Sequence, residues 1–220
     1  MAKHVKLPKK LRTPGDFSKF LLGELGWRRK ETRYFRSLVD KGGGAVETLT
    51  RAAVAILYSH WEGFLKIGAS AYLEHVRLQG RKLSELKSNF VALSARKLAE
   101  GATQSSRWEF QIAFCKAVRE SENFPAKWPK SWNIDTGSNL TVEVLRDMVL
   151  LLGINYRVEF QLAEKPIIER LLELRNGIAH GNAQGVDLAE FHQLDDKVDE
   201  LLQLFCNELD NSAAVSAYRL

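Results

Sequence analysis

The chain has 220 residues, 45% of them hydrophobic and 27% charged, with a formal net charge of +5, which is the composition of an ordinary soluble globular protein with one sizeable core. No apolar run approaches the roughly 20 residues that cross a bilayer, and the Lys-rich stretch Met1–Arg12 lacks the apolar segment of a secretory signal. The two cysteines, Cys115 and Cys206, each fall in an apolar helical pattern and read as buried, reduced thiols of a cytoplasmic protein.

Residues 1–15 read as a flexible basic arm ending at Thr13-Pro14-Gly15, and residues 16–220 as a single all-α domain. Residues 1–36 hold eleven Lys/Arg against three Asp/Glu, a net +8, so the rest of the chain carries −3. By itself such a segment reads as a solvated arm, although concentrated positive charge also draws polyanions. Asp16 is placed to cap a first helix whose apolar positions, from Phe17 to Val39, recur every three or four residues until Lys41-Gly42-Gly43-Gly44 stops it. A second helix follows over about Val46–Val76. Its two apolar stripes, one through Leu49, Ile56, His60 and Phe64 and one through Leu57, Trp61, Leu65 and Tyr72, mark it as central to the fold.

A third helix is expected over Leu83–Leu98 and a fourth from Ser105 to about Glu120. Residues 123–139 have loop chemistry, with Pro125, Pro129 and Gly137 among the aromatic anchors Trp128 and Trp132. Thr141–Leu152 reads as a helix closed by Gly153, and residues 154–163 as loop or helix. Pro166 suits the first turn of a helix that runs through Leu174, with Gly177 and Gly181 at its end. The last helix begins near Asp187, buries Leu188, Phe191, Leu194, Val198 and Leu202, and turns an acidic face outward. Alternating helices without a repeat indicate a helical bundle.

Chemistry concentrates in Leu171-Leu172-Glu173-Leu174-Arg175-Asn176-Gly177-Ile178-Ala179-His180-Gly181. A guanidinium neutralises a phosphate through a planar fork of donors, and an imidazole exchanges protons near neutral pH. Five residues of unbroken helix turn two side chains to about 140° apart, so Arg175 and His180 cannot face one phosphate from such a helix. Either the helix breaks between them, which Gly177 would ease, or two subunits contribute to one site. Judged by spacing alone, a helix-end arginine and a packed histidine explain the pair as well.

The Arg-Asn-x-x-Ala-His run resembles the signature of the HEPN superfamily, whose active members are mostly prokaryotic ribonucleases. The string Leu57-Tyr58-Ser59-His60-Trp61-Glu62-Gly63-Phe64-Leu65-Lys66 is similar to the early helix of the small MAE-type HEPN proteins. The resemblance spans roughly residues 45–210 and implies a HEPN-like bundle, here with additional N-terminal and middle helices. It further implies a homodimer with a composite active site, metal-independent endoribonuclease activity on tRNA or mRNA, and a role as a toxin or antiphage effector. An antitoxin or defence-system partner would accompany such a role. Arg175 and His180 take the catalytic places and Asn176 the polar place beside them. Some HEPN toxins carry a tyrosine two residues after the histidine, where an antitoxin modifies them; this chain has Asn182.

His60 reads either as a hydrogen-bonded core histidine or as a supporting partner of the site, and Glu62 either as a surface acid or as a carboxylate orienting Arg175 or His180. With RNA as the expected ligand, Arg28, Arg29, Lys30 and Arg33 become its candidate contacts. No metal or cofactor is expected: His60 and Glu62 are two residues apart on a helix and point away from each other, and His75, His192 and His4 lack companions. A non-catalytic HEPN-like module that binds RNA, nucleotide or a protein is the alternative function.

Overall fold

Two long helices, α1 (Pro14–Asp40) and α2 (Val46–Leu78), pack on each other across a short glycine-containing connection and frame the molecule. The computed structural model describes residue 7 and residues 10–103, 107–128, 139–183 and 185–220. Met1, His4, Ser105, Pro129, Trp132 and Gly137, named above, lie outside the described residues. The remaining helices are α3 (Ser88–Thr103), α4 (Trp108–Ser121), α5 (Val142–Leu152), α6 (Val158–Ala163), α7 (Arg170–Ala179) and α8 (Leu188–Ala214), with a π-helical turn at Glu164–Glu169. Among the described residues there are two isolated β-bridges and no strands, so the all-α expectation holds.

Local chemistry explains the boundaries. Thr13, not Asp16, is the N-cap of α1; its side chain accepts from the Asp16 N–H at 3.1 Å while Asp16 sits in the first turn, where a carboxylate favours the helix dipole. Thr141 and Asp187 cap α5 and α8 in the same way, and Gly153 closes α5 with φ +66°. The end of the expected arm is docked: Leu11 is fully buried, His75 Nδ1 donates to its carbonyl at 2.8 Å, and Gln79 donates to the Arg12 carbonyl at 2.8 Å. α3 begins at Ser88 rather than Leu83 because the backbone at Leu86 is extended and bridges Arg219, while the Lys87 N–H donates to the Tyr218 carbonyl. Cys206 is buried as expected, but Cys115 is exposed, on a helix that buries none of its described side chains.

α2 is the hub, in contact with α1, α8, α7 and α5. Trp61, Phe64, Leu65 and Tyr72 are buried on its different faces. Gly68 is the close-approach point: a Cβ there would lie 3.2 Å from Leu209 Cδ1, 3.4 Å from Phe205 Cε1 and 3.6 Å from Leu21 Cδ2, so α1, α2 and α8 meet around a missing side chain. The α1–α8 pair runs antiparallel, since Ser18 meets Asp210, Arg29 meets Asp199 and Arg36 meets Asp195.

Pro166 does not start a helix. It lies in the π turn that joins α6 to α7, so one helical rod runs from Val158 to Ala179. Proline has no N–H to donate and its ring crowds the carbonyl four residues back; a wider turn absorbs both defects without ending the rod. Glu164 pins the turn by accepting from Arg146 at 2.7 Å and from the Tyr156 hydroxyl at 2.9 Å.

Gly68→Val is expected to lower stability by about 1–3 kcal/mol through overpacking, whereas Gly23→Ala, on the open face of α1, should raise it by up to about 1 kcal/mol. Urea denaturation of the two variants checks the opposite signs.

Burial holds His60 and His75 below the ordinary imidazole value of 6.5; Glu31 opposes and Arg28 reinforces the effect at His60, and the Leu11 carbonyl opposes it at His75. Unfolding releases each ring to take up a proton, so their contribution is complete above pH 6.5 and is lost as pH falls toward the depressed folded values. The urea midpoint is therefore expected to fall between about pH 7.5 and about pH 5.5, and less steeply in His75→Gln.

Candidate active site

α7 buries Leu171, Leu174 and Gly177 and packs on α2. Gly177 does not break the helix. The His180 N–H donates to the Asn176 carbonyl at 3.0 Å, and the helix closes only at Gly181, whose φ is +75°, with the Asn182 N–H donating to the Gly177 carbonyl at 2.9 Å. An L-residue side chain is strained at that φ, so the stop signal of the motif is Gly181. With the helix intact, Arg175 and His180 leave it on different sides: Arg175 is half-buried against neighbouring elements, while His180 is exposed and its ring has no partner among the described residues.

The Arg175 guanidinium is held on three sides. One nitrogen, Nη1, donates to the Asn139 side-chain oxygen at 2.9 Å and to the Asn176 side-chain oxygen at 2.8 Å. The guanidinium carbon lies 4.8 Å from the centre of the Tyr58 ring, a cation–π contact. The Tyr58 hydroxyl accepts from the Leu140 N–H at 2.9 Å and donates to the Glu62 carboxylate, which also pairs with Lys66. Burial, reinforced by Glu62 and opposed by the Leu140 N–H and Arg175, pushes the phenol up to about 12, so Tyr58 is a neutral hydroxyl at physiological pH and not a base. The Nε and Nη2 edge of Arg175 has no partner among the described residues. This is an edge that can take two oxygens of a phosphate together.

Of the residues expected from sequence, Arg175, Asn176 and Glu62 are brought together, Glu62 by way of Tyr58. His60 is not part of this group. Two residues along α2 it faces α1, with Nε2 2.7 Å from a Glu31 oxygen and its ring edge-on to Trp27 at 5.2 Å. Tyr58 and Asn139 were missed. Tyr58 carried a faint signal, sitting one turn before Glu62; Asn139 carried none, because a loop has no periodicity to read.

The basic stretch of α1 also sorts differently from the sequence expectation. Arg28 is buried, donates to the Glu24 carbonyl at 2.8 Å and to its carboxylate at 2.5 Å, and lies over the Trp27 and Phe64 rings. Arg29 is bound to Asp199 and, at 2.6 Å, to Gln203 on α8. Neither presents a free head to a phosphate, because Arg28 is enclosed in the bundle and Arg29 is bound to α8; Lys30 and Arg33 are exposed. A groove of about 650 Å³ between α6, the π turn and α8, floored by Leu162, Pro166, Ile167 and Leu204, contains neither Arg175 nor His180. Among the described residues no group of three His, Cys, Asp or Glu could hold a metal ion, and no helix is long and apolar enough to cross a membrane.

An all-α bundle in which one helix ends in Arg-Asn-Gly-Ile-Ala-His-Gly has the fold and the motif of a HEPN protein. The model of the MAE_28990-like HEPN family matches residues 17–218, and the chain belongs to that family. No curated protein and no solved structure matches the chain.

Arg28→Ala is expected to destabilise the fold by about 1–3 kcal/mol, since it strands Glu24 and opens space beside Phe64. Lys30→Glu with Arg33→Glu should leave the thermal midpoint within a degree or two. Thermal melts of the two variants test the distinction.

Proposed function

We propose that this protein is a metal-independent HEPN endoribonuclease that cleaves tRNA or mRNA in the cytoplasm as a toxin or antiphage effector. The observation that carries the reading is Arg175: a cation held by neutral groups, with one donor edge unpartnered among the described residues, five residues before an exposed histidine. In this reaction a ribose 2′-oxygen attacks the adjacent phosphorus, the P–O5′ bond breaks, and the products are a 2′,3′-cyclic phosphate and a 5′-hydroxyl. One His180 takes the 2′ proton and another gives a proton to the departing 5′-oxygen. Arg175 stabilises the anionic transition state.

Two proton transfers need two imidazoles, and an unbroken α7 separates His180 from Arg175 within one chain. A homodimer that brings together the two α7 ends meets both requirements, and a two-fold contact is the commonest way to build one. Of the four candidate contacts on α1, Lys30 and Arg33 remain exposed and available to RNA. The position after the motif is Asn182, so control by a partner acting on a tyrosine at that place does not apply.

One observation favours a second reading: among the described residues the His180 ring has no hydrogen-bond partner to orient it, as a binding module that holds RNA or nucleotide without cutting would allow. Purified protein incubated with total RNA and EDTA separates the two. The nuclease reading expects cleavage that survives EDTA and leaves cyclic phosphate ends, with losses of about 10²-fold or more in Arg175→Ala and His180→Ala while the melts stay unchanged. Binding without cleavage by the wild-type protein would establish the module instead, and an active monomer would refute the composite site.

A further inference from the structure

We propose that Tyr58 and Asn139 are positioning residues for Arg175, and that they hold it through neutral contacts so that its charge stays available to a phosphate. The proposal rests on the ribonuclease reading and deepens it, since neither residue belongs to the motif.

The contrast with other arginines of the chain carries the argument. Arg36 is bound to Asp195 and Asp196, Arg170 to Glu190 and Glu173, Arg146 to Glu164, and Arg28 to Glu24. In each the positive charge is cancelled where it is anchored. Arg175 has no carboxylate partner among the described residues; two amide oxygens and an aromatic face hold it instead. The carboxylate in its surroundings, Glu62, is occupied by the Tyr58 hydroxyl and by Lys66. A long, flexible side chain is thereby fixed in direction with no carboxylate of the described residues cancelling its charge, as an electrostatic catalyst requires.

The bracket is also tied to the scaffold. Tyr58 is buried on α2, its hydroxyl fixes the Leu140 N–H, and Asn139 immediately precedes that residue at the entrance to α5. The ring and the amide that grip Arg175 therefore belong to elements locked to each other by a hydrogen bond. Tyr58 supplies two separable parts: the ring touches Arg175, and the hydroxyl sets Asn139.

The test uses the whole 220-residue chain, four bracket variants and the controls Arg175→Lys and Arg175→Ala, with steady-state cleavage of a single-stranded RNA oligonucleotide, thermal melts, and the NMR signal of the Arg175 Nε–H, assigned by its loss in Arg175→Lys. Tyr58→Leu removes the floor beneath the guanidinium: kcat and kcat/KM should fall together by about 10-fold or more with KM within about 3-fold, and the Arg175 signal should lose its ring-current shift. Tyr58→Phe keeps the ring and should recover most of that kcat, although the unpaired Leu140 N–H lowers its melting temperature. Asn139→Asp keeps an acceptor on Nη1 but cancels the charge; it should lower kcat about 10-fold or more while the melting temperature stays level or rises. Asn139→Ala loosens the grip and should lie between wild type and Asn139→Asp.

A purely structural bracket would make activity follow the melting temperature, so an Asn139→Asp protein as active as wild type, or a Tyr58→Phe protein no more active than Tyr58→Leu, overturns the proposal. An Arg175 signal indifferent to Tyr58→Leu overturns it as well. If wild type and Arg175→Ala are equally inert on RNA, the ribonuclease reading fails. The NMR signal then decides separately whether the bracket exists.

Discussion

Helix α2 carries a constraint on which the other elements depend: along its middle turns it has almost no face left for water. α1 and α8 close on it around Gly68, where the absence of a Cβ lets three helices approach, and α7 and α5 cover other parts of its length. A helix buried from several directions must be apolar on several faces, and the polar groups it keeps must find partners inside. Tyr58 satisfies the Leu140 N–H and Glu62, and the contacts that satisfy it also build the surroundings of Arg175. Packing and site geometry are in this sense two consequences of one helix.

Charge is arranged by the same geometry. In the sequence the basic residues near the N-terminus read as a solvated arm whose charge also draws polyanions, and the last helix read as turning an acidic face outward. α1 and α8 run antiparallel side by side, so Arg29 and Arg36 meet Asp199, Asp195 and Asp196, and Asp40 meets His192 at 2.8 Å. Two charge excesses far apart in the chain become one set of cross-helix pairs. Asp195 is the most enclosed carboxylate of the set; burial raises its pKa and Arg36 opposes that shift. Arg175 stands apart from this pattern, being restrained with no carboxylate partner among the described residues.

Most helix boundaries were legible because their signals are local. Apolar spacing, Thr141 and Asp187 as caps, and Gly153 as a stop need only a few neighbouring residues. The errors have a common source as well. Pro166 read as a helix start because proline inside an α-helix is costly, yet a π turn accommodates it. Gly177 read as a break because glycine weakens helices, yet it lies buried within α7 and Gly181 makes the stop. Leu83 read as the start of the third helix, but Leu83–Glu85 form a separate 3-10 turn and Leu86, bridged to Arg219, is extended before α3 begins. In each case a contact or a turn geometry outside the local window overrode a local preference.

The amino-acid sequence by itself determined the helical class, the central place of the second helix, and the motif that marks the chain as a HEPN protein. Those properties follow from residue spacing and residue chemistry, which are one-dimensional. Only the tertiary structure decided which cations are cancelled and which stay available, since that depends on what each side chain faces. Tyr58 and Leu140 are 82 positions apart, and Asn139 and Arg175 are 36 apart. No periodicity links them; they meet because helices buried on one hub have few places left to go.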